Sequence, residues 1–275
     1  MSELSSREVL KFYIASGVDE TYGESPTSSF PDLIGEFRQT KRLYDSLDPP
    51  VKPEGDERGA SQGDGVMAFR NDGVRGSAET EAERIAAACV SVAELQTAIR
   101  AFDLCPLAKF ATHPIVGVGV ERPKLLIITE MPEAVEDASG QALSGAQGEL
   151  LLRITPNLGR SFERDAFVFP AIFWRSAGGV APDKAMVSML RPFVKRFVEL
   201  LAPEMILVLG SVPLMMLWEC DEAMASAHGR WLKYGGVLAM PTFSLSSMLA
   251  NPDMKKAAWN DMKLLLAPPE KSNLS

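Results

Sequence analysis

The densest chemistry in this sequence lies at Thr129-Glu130-Met131-Pro132-Glu133-Ala134-Val135-Glu136-Asp137, with four carboxylates in nine residues. Oxygen ligands at this density suit a divalent cation, and any one of the four could serve as a general base. A solvated acidic loop before a helix, capped by Asp137 or Ser139, would use the same residues without chemistry. The second candidate is Thr242-Phe243-Ser244-Leu245-Ser246-Ser247. A serine nucleophile needs an adjacent base. Neither His113 nor His228 is placed in the sequence so as to identify it as one, and capping of the next turn is the expectation. Gly210-Ser211-Val212-Pro213 sets backbone N–H groups at a helix start, an arrangement that suits a phosphate. Arg175, Arg230 and Lys233 either meet phosphates or only solubilise the surface. Three scattered cysteines (Cys89, Cys105, Cys220) without a CxxC pair, beside only two histidines, leave no zinc ligand set.

The elements that must position these residues alternate between strands and helices. KLLIIT (124–129), AFVFPAIFW (166–174), MILVLG (205–210) and GGVLAMPTF (235–243) read as buried strands. Helices follow at GELLLRITPNLG (148–159), at 182–203, from Ser211, and at 253–266 with Trp259 and Met262 inward. In the long helix 182–203 the core face is Met186, Met189, Leu190, Phe193, Phe197 and Leu200. Such alternation predicts a three-layer α/β/α domain on a four-stranded parallel sheet. Ligands of such folds sit beyond the carboxyl ends of the strands, where the acidic and serine-rich segments fall.

Upstream, residues 79–101 read as a helix with a possible break. Ser91 and Glu94 form a capping box, and Val92, Leu95, Ile99 and Phe102 an apolar face. Residues 1–22 carry a short amphipathic helix (5–16), and 23–78 are too poor in large apolar residues to offset the entropy of ordering. The expected division is an N-terminal helical segment (1–22), a disordered linker (23–78) and an α/β domain (79–275). The net charge of −8 belongs to the first part: residues 1–96 hold 10 basic and 18 acidic side chains, and residues 97–275 hold 18 of each. A neutral domain lacks the basic bias of most nucleic-acid binders, although a local basic rim would suffice for modest phosphate contacts. MSELSSREVL is not followed by an apolar run, so no signal peptide is expected, and no stretch is long enough to span a membrane. An odd number of dispersed cysteines points to a reducing, cytoplasmic compartment.

The order of segments resembles the family-four, iron–sulfur type of uracil-DNA glycosylase. That family's GEAPG-xx-ED-xx-GxPF-x-G-xx-G-x-LL run is similar to residues 129–151, with Glu130, Pro132, Glu136, Asp137, Gly140, Gly145, Gly148, Leu150 and Leu151 in register. Its RPF and LG runs are similar to Arg191-Pro192-Phe193 and Leu209-Gly210, and its RGRW to His228-Gly229-Arg230-Trp231. Its TxHPSxLLxxPxxK…WxD closing run is similar to 242–255 with Trp259 and Asp261, and its CPL…GxG approach to Cys105-Pro106-Leu107 with Gly117 and Gly119. The likeness covers about residues 97–266.

The resemblance implies a ligand pocket at Glu130, Met131, Pro132, Glu136, Asp137, Leu143, Pro170 and Ser244, and DNA contacts at Ser211, Arg230 and Ser246. It also implies that much of the chemistry is gone. The four cluster ligands fall on Phe102, Cys105, Trp174 and Leu190, and cluster ligation needs thiolates, so no cofactor is expected. The base-stacking Phe becomes Leu143, the base-reading Asn becomes Pro170, and the His of the closing run becomes Ser244. The last Gly of the first run becomes Glu133, whose side chain would crowd the pocket and disfavour an anionic leaving base. Glu130, Glu133, Asp137 and Ser244 remain as remnants of a catalytic site. Three readings follow. One is a non-catalytic relative that binds DNA, a nucleotide or a protein. Another is an enzyme of altered base specificity using Glu130, Glu133 or Asp137. The last is a platform whose N-terminal helix recruits a protein partner.

Overall fold

The structure is a computed structural model, and it describes residues 72–176, 182–219 and 224–269. The N-terminal helix expected at 5–16, and all but the end of the linker expected at 23–78, lie outside the described residues.

The apolar runs form a six-stranded mixed sheet: β1 (Val118–Gly119), β2 (Leu125–Thr129), β3 (Ala166–Pro170), β4 (Met205–Leu209), β5 (Leu232–Tyr234) and β6 (Val237–Thr242), in the order β1-β3-β2-β4-β6-β5. The central β3-β2-β4-β6 are parallel, with Leu125 opposite both Ala166 and Met205, and Met205 opposite Leu238. The expected parallel core of four is present, but antiparallel β1 and β5 flank it. Trp174 was expected inside the second strand, which ends at Pro170; the buried residues 171–174 follow as irregular chain. Proline has no N–H for the ladder, while the amides of Ala171 and Ile172 donate to the carbonyls of Thr129 and Glu130 (2.8 and 2.9 Å). β5, at three residues, is too short to carry a periodicity of its own. Its hairpin signal is Gly235-Gly236, both at positive φ (55° and 82°), as a two-residue hairpin turn requires.

Strand alternation sorts the core into two layers. Leu126, Ile128, Phe167, Phe169, Ile206, Val208 and Ala239 face one; Leu125, Ile127, Val168, Leu207, Leu209, Leu238 and Met240 face the other. The first layer is covered by α1 (Asp72–Ala88), α2 (Val92–Ala101), α6 (Lys184–Leu201) and α7 (Ser211–Trp218); the second by α4 (Ala146–Ile154), α9 (Leu245–Ala250) and α10 (Pro252–Lys263). Three shorter α-helices also lie among the described residues: α3 (Ala134–Ser139), α5 (Phe162–Asp165) and α8 (Met224–Ala227).

The helix expected from 79 begins at Asp72, inside the span read as linker, and breaks after Ala88. Ala78, Ala82 and Ala86, spaced by one turn, are buried in the first layer. Tertiary packing of these alanines, which a composition argument does not see, holds the helix from Ala78 onward. Ser91 accepts from the Glu94 N–H (3.2 Å) as expected, but Glu94 reaches back to the N–H of Val90 (2.9 Å). The Val92, Leu95, Ile99 and Phe102 face is buried. In α6, Val187, Val194, Val198 and Leu201 join the buried stripe, while Met186 and Leu200 are only partly buried.

Candidate active site

The four acids after β2 sit at the carboxyl end of the sheet, and each is bound to backbone N–H groups. Glu130 Oε1 accepts from the N–H of Ser211 (3.0 Å) and Val212 (3.5 Å), and the Ser211 hydroxyl approaches it at 3.4 Å. The carboxylate lies against Gly210, where φ is 107° and a Cβ would collide with it. The helix start expected to hold a phosphate, and Ser211 expected to touch DNA, are therefore engaged by the protein's own anion, which stabilises the positive end of α7.

Glu133 Oε2 accepts from the Gln147 N–H (2.8 Å) and caps α4, lying where a Cβ on Gly145 would stand. It does not line the pocket it was expected to crowd. Glu136 takes the N–H of Glu133 (2.8 Å) on one oxygen and that of Leu143 (2.6 Å) on the other. Burial pushes the Glu136 carboxyl above its ordinary range; the two backbone bonds oppose this, and the nearby Glu133 adds to it. Asp137 is buried and accepts from the N–H of Thr112 (2.8 Å) and His113 (3.2 Å). It ties down that loop and does not cap the helix, whose N-cap is Glu133. No three His, Cys, Asp or Glu side chains among the described residues come together to hold a metal.

Ser244 is the N-cap of α9, accepting from the Ser247 N–H (3.2 Å), with the hydroxyls of Ser246 and Ser247 both at 2.9 Å. This is the capping role expected of it. Arg230 is exposed and donates to the Ser226 carbonyl (3.2 Å); Ser246 is exposed at the start of α9.

Of the expected pocket residues, Met131, Glu136, Leu143 and Pro170 line one cavity with Thr129 and Leu245. Its volume is about 20 Å³, room for a single water molecule and not for a pyrimidine base. Leu143 is held at φ 65°, a conformation rare for a branched side chain. Glu130, Pro132, Asp137 and Ser244 do not line this cavity.

A grouping absent from the sequence reading surrounds Asp261. This buried carboxylate takes the Thr242 hydroxyl (2.6 Å) and pairs with His228 Nδ1 (3.0 Å), and the His228 ring packs on Phe243 at 4.6 Å between centroids. The signal lay in His228-Gly229-Arg230-Trp231 and Trp259-Asn260-Asp261, 33 residues apart in the case of His228 and Asp261, too far for spacing to reveal.

A sequence model of the uracil DNA glycosylase superfamily matches residues 116–263, a span that takes in all six strands. The chain belongs to the uracil DNA glycosylase superfamily. Among its relatives are proteins named type-4 uracil-DNA glycosylase. That of Saccharolobus solfataricus is 25% identical over 173 residues, covering 60% of this chain and 80% of the relative. That of Sulfurisphaera tokodaii is 24% identical over 168 residues (58% and 76%), and that of Pyrobaculum aerophilum 29% over 126 (46% and 64%).

Within this superfamily member, the four positions matched to cluster ligands do not suit a thiolate-held cluster. Phe102, Cys105, Trp174 and Leu190 are all buried in one hydrophobic layer. Phe102 meets Phe193 edge-on at 5.1 Å, and Trp174 meets Phe173 at 6.0 Å. The three hydrocarbon side chains offer no ligand atom, and burial pushes the lone Cys105 thiol up, away from the thiolate a metal requires.

Proposed function

We propose that this protein keeps the glycosylase scaffold, binds DNA or a nucleotide in a DNA-repair setting, and does not excise uracil. The reading rests on the base pocket: where a flipped base would have to enter and be read, the residual cavity is about 20 Å³ and is bordered by Leu143 and Pro170. The surviving acids support it, since all four are committed to backbone amides. No iron–sulfur cluster belongs to this reading: of the four positions matched to cluster ligands, Phe102 and Trp174 are packed against other rings and Leu190 is buried in the same apolar layer. The free, buried Cys89 and Cys105 fit a reducing compartment such as the cytoplasm, and no described helix is long and apolar enough to cross a membrane.

The test joins an excision assay to a binding assay on one sample. Single-stranded and duplex oligonucleotides containing uracil are incubated with the protein, and base release is followed beside affinity at low salt. Binding without release is the expected result. Stoichiometric release of uracil would overturn the reading, as would failure of every oligonucleotide and nucleotide to bind. Iron measured on the same preparation is expected to be absent.

The His228–Asp261 pair favours a second reading, hydrolysis of a different N-glycosidic substrate. A buried carboxylate that orients an imidazole is the arrangement of a general base and its positioning partner. Time-dependent release of any damaged base, lost in His228→Asn, would establish it.

A further inference from the structure

A larger cleft adjoins the vestigial base pocket. It measures about 440 Å³ and lies between the end of α2, the chain entering β1 and the turn after α3, a size common to small-ligand sites. Ile115 and Ala142 border both this cleft and the 20 Å³ cavity. The other large cavities beside α6 set Arg191 against Glu219, an ion pair at 3.5 Å. This cleft differs: no carboxylate lines it, and Arg100 does. The Arg100 side chain is exposed and makes no hydrogen bond or ion pair among the described residues. A guanidinium left free at the mouth of a cleft matches a phosphate in geometry and charge.

The remaining lining matches the rest of a nucleotide. Ile115, Val118 and Ala142 offer an apolar surface to a ring. His113 and Gln141 supply polar groups. The His113 ring is held by Nδ1, which donates to the Asp137 carbonyl at 2.8 Å. That bond places the proton on Nδ1 and leaves the Nε2 of the neutral ring as an acceptor, suited to an N–H on a base edge. The Asp137 carboxylate fixes the same loop through the N–H groups of Thr112 and His113, so the imidazole is presented from a secured backbone.

We infer that this cleft binds a nucleotide, either free or as one unit of a single strand, with Arg100 on the phosphate and His113 and Gln141 at the base. The inference rests on the DNA- or nucleotide-binding reading above and gives it a place beside the closed base pocket, not inside it.

The test uses the full chain with two probes, a fluorescein-labelled octathymidylate and free thymidine monophosphate, at about 50 mM salt, where phosphate contacts are least screened. Arg100→Gln is expected to weaken binding about tenfold or more, the usual worth of a charge-assisted hydrogen bond. Val118→Trp is expected to block the cleft and abolish binding. Melting curves establish that both variants fold; Arg100, being exposed, carries the test if Val118→Trp does not. Oligonucleotide binding that Arg100→Gln leaves unchanged would overturn the cleft while sparing the DNA reading. Arg100-dependent binding of the mononucleotide alone would support the cleft and remove the DNA reading. Binding of neither probe would overturn the cleft.

Discussion

Individual carboxylates in this protein serve as anchors for backbone N–H groups, Glu130 and Glu133 at helix starts and Asp137 on a loop. Glu130 holds the N–H groups at the start of α7, and charge at a helix N-terminus contributes about 0.3–1 kcal/mol when exposed and more when partly buried. Glu130→Ala should therefore lower the free energy of unfolding by about 1–2 kcal/mol, read as a drop in the urea midpoint at unchanged slope. Glu136 makes a prediction of opposite character. Its carboxyl is raised by burial above the ordinary 4.5, so the native state holds the proton more tightly than the unfolded chain. The stability it contributes is complete below about pH 4.5 and is lost as pH rises through the raised native value. Measured against Glu136→Gln, which cannot titrate, the unmodified protein should lose relative stability as pH rises above about 4.5. A flat difference across that range would refute the assignment.

Among the elements, α6 carries the largest share of the first core layer. Phe193 meets Phe102 and Phe173 edge-on at 5.1 and 6.4 Å, and Phe197 stacks on Phe169 at 4.5 Å. Leu190 on this helix and Phe102 after α2, two of the positions matched to cluster ligands, are buried in the same layer. Removing a fully buried Phe from such a group costs about 3–5 kcal/mol, so Phe193→Ala should unfold at a much lower denaturant concentration. Tension between sequence and packing is visible here too: Pro192 sits inside α6, removes one backbone bond of the helix, and is accommodated between fully buried Leu190 and Phe193.

Across the described residues, stability comes from two apolar layers on a six-stranded sheet. If packing has replaced the cluster, iron chelators should leave the melting temperature unmoved, because nothing bound only by the native state is withdrawn. A chelator-induced fall of several degrees in a thermal scan would show a structural metal.

The four parallel strands and the inward faces of the flanking helices were legible in the chain itself, since continuous apolar runs and helical periodicity are local properties. The segment order that led to the superfamily was legible for the same reason. The edge strands β1 and β5 were not: at two and three residues, they owe their form to ladder bonds with β3 and β6 and not to their own composition. Nor could spacing reveal the fate of the acids. Glu130 meets a helix 81 residues later and His228 finds Asp261 across 33. Whether a carboxylate is a free base or a spent cap depends on which amides the tertiary fold brings within about 3 Å of it, and that distance exists only once the chain has closed on itself.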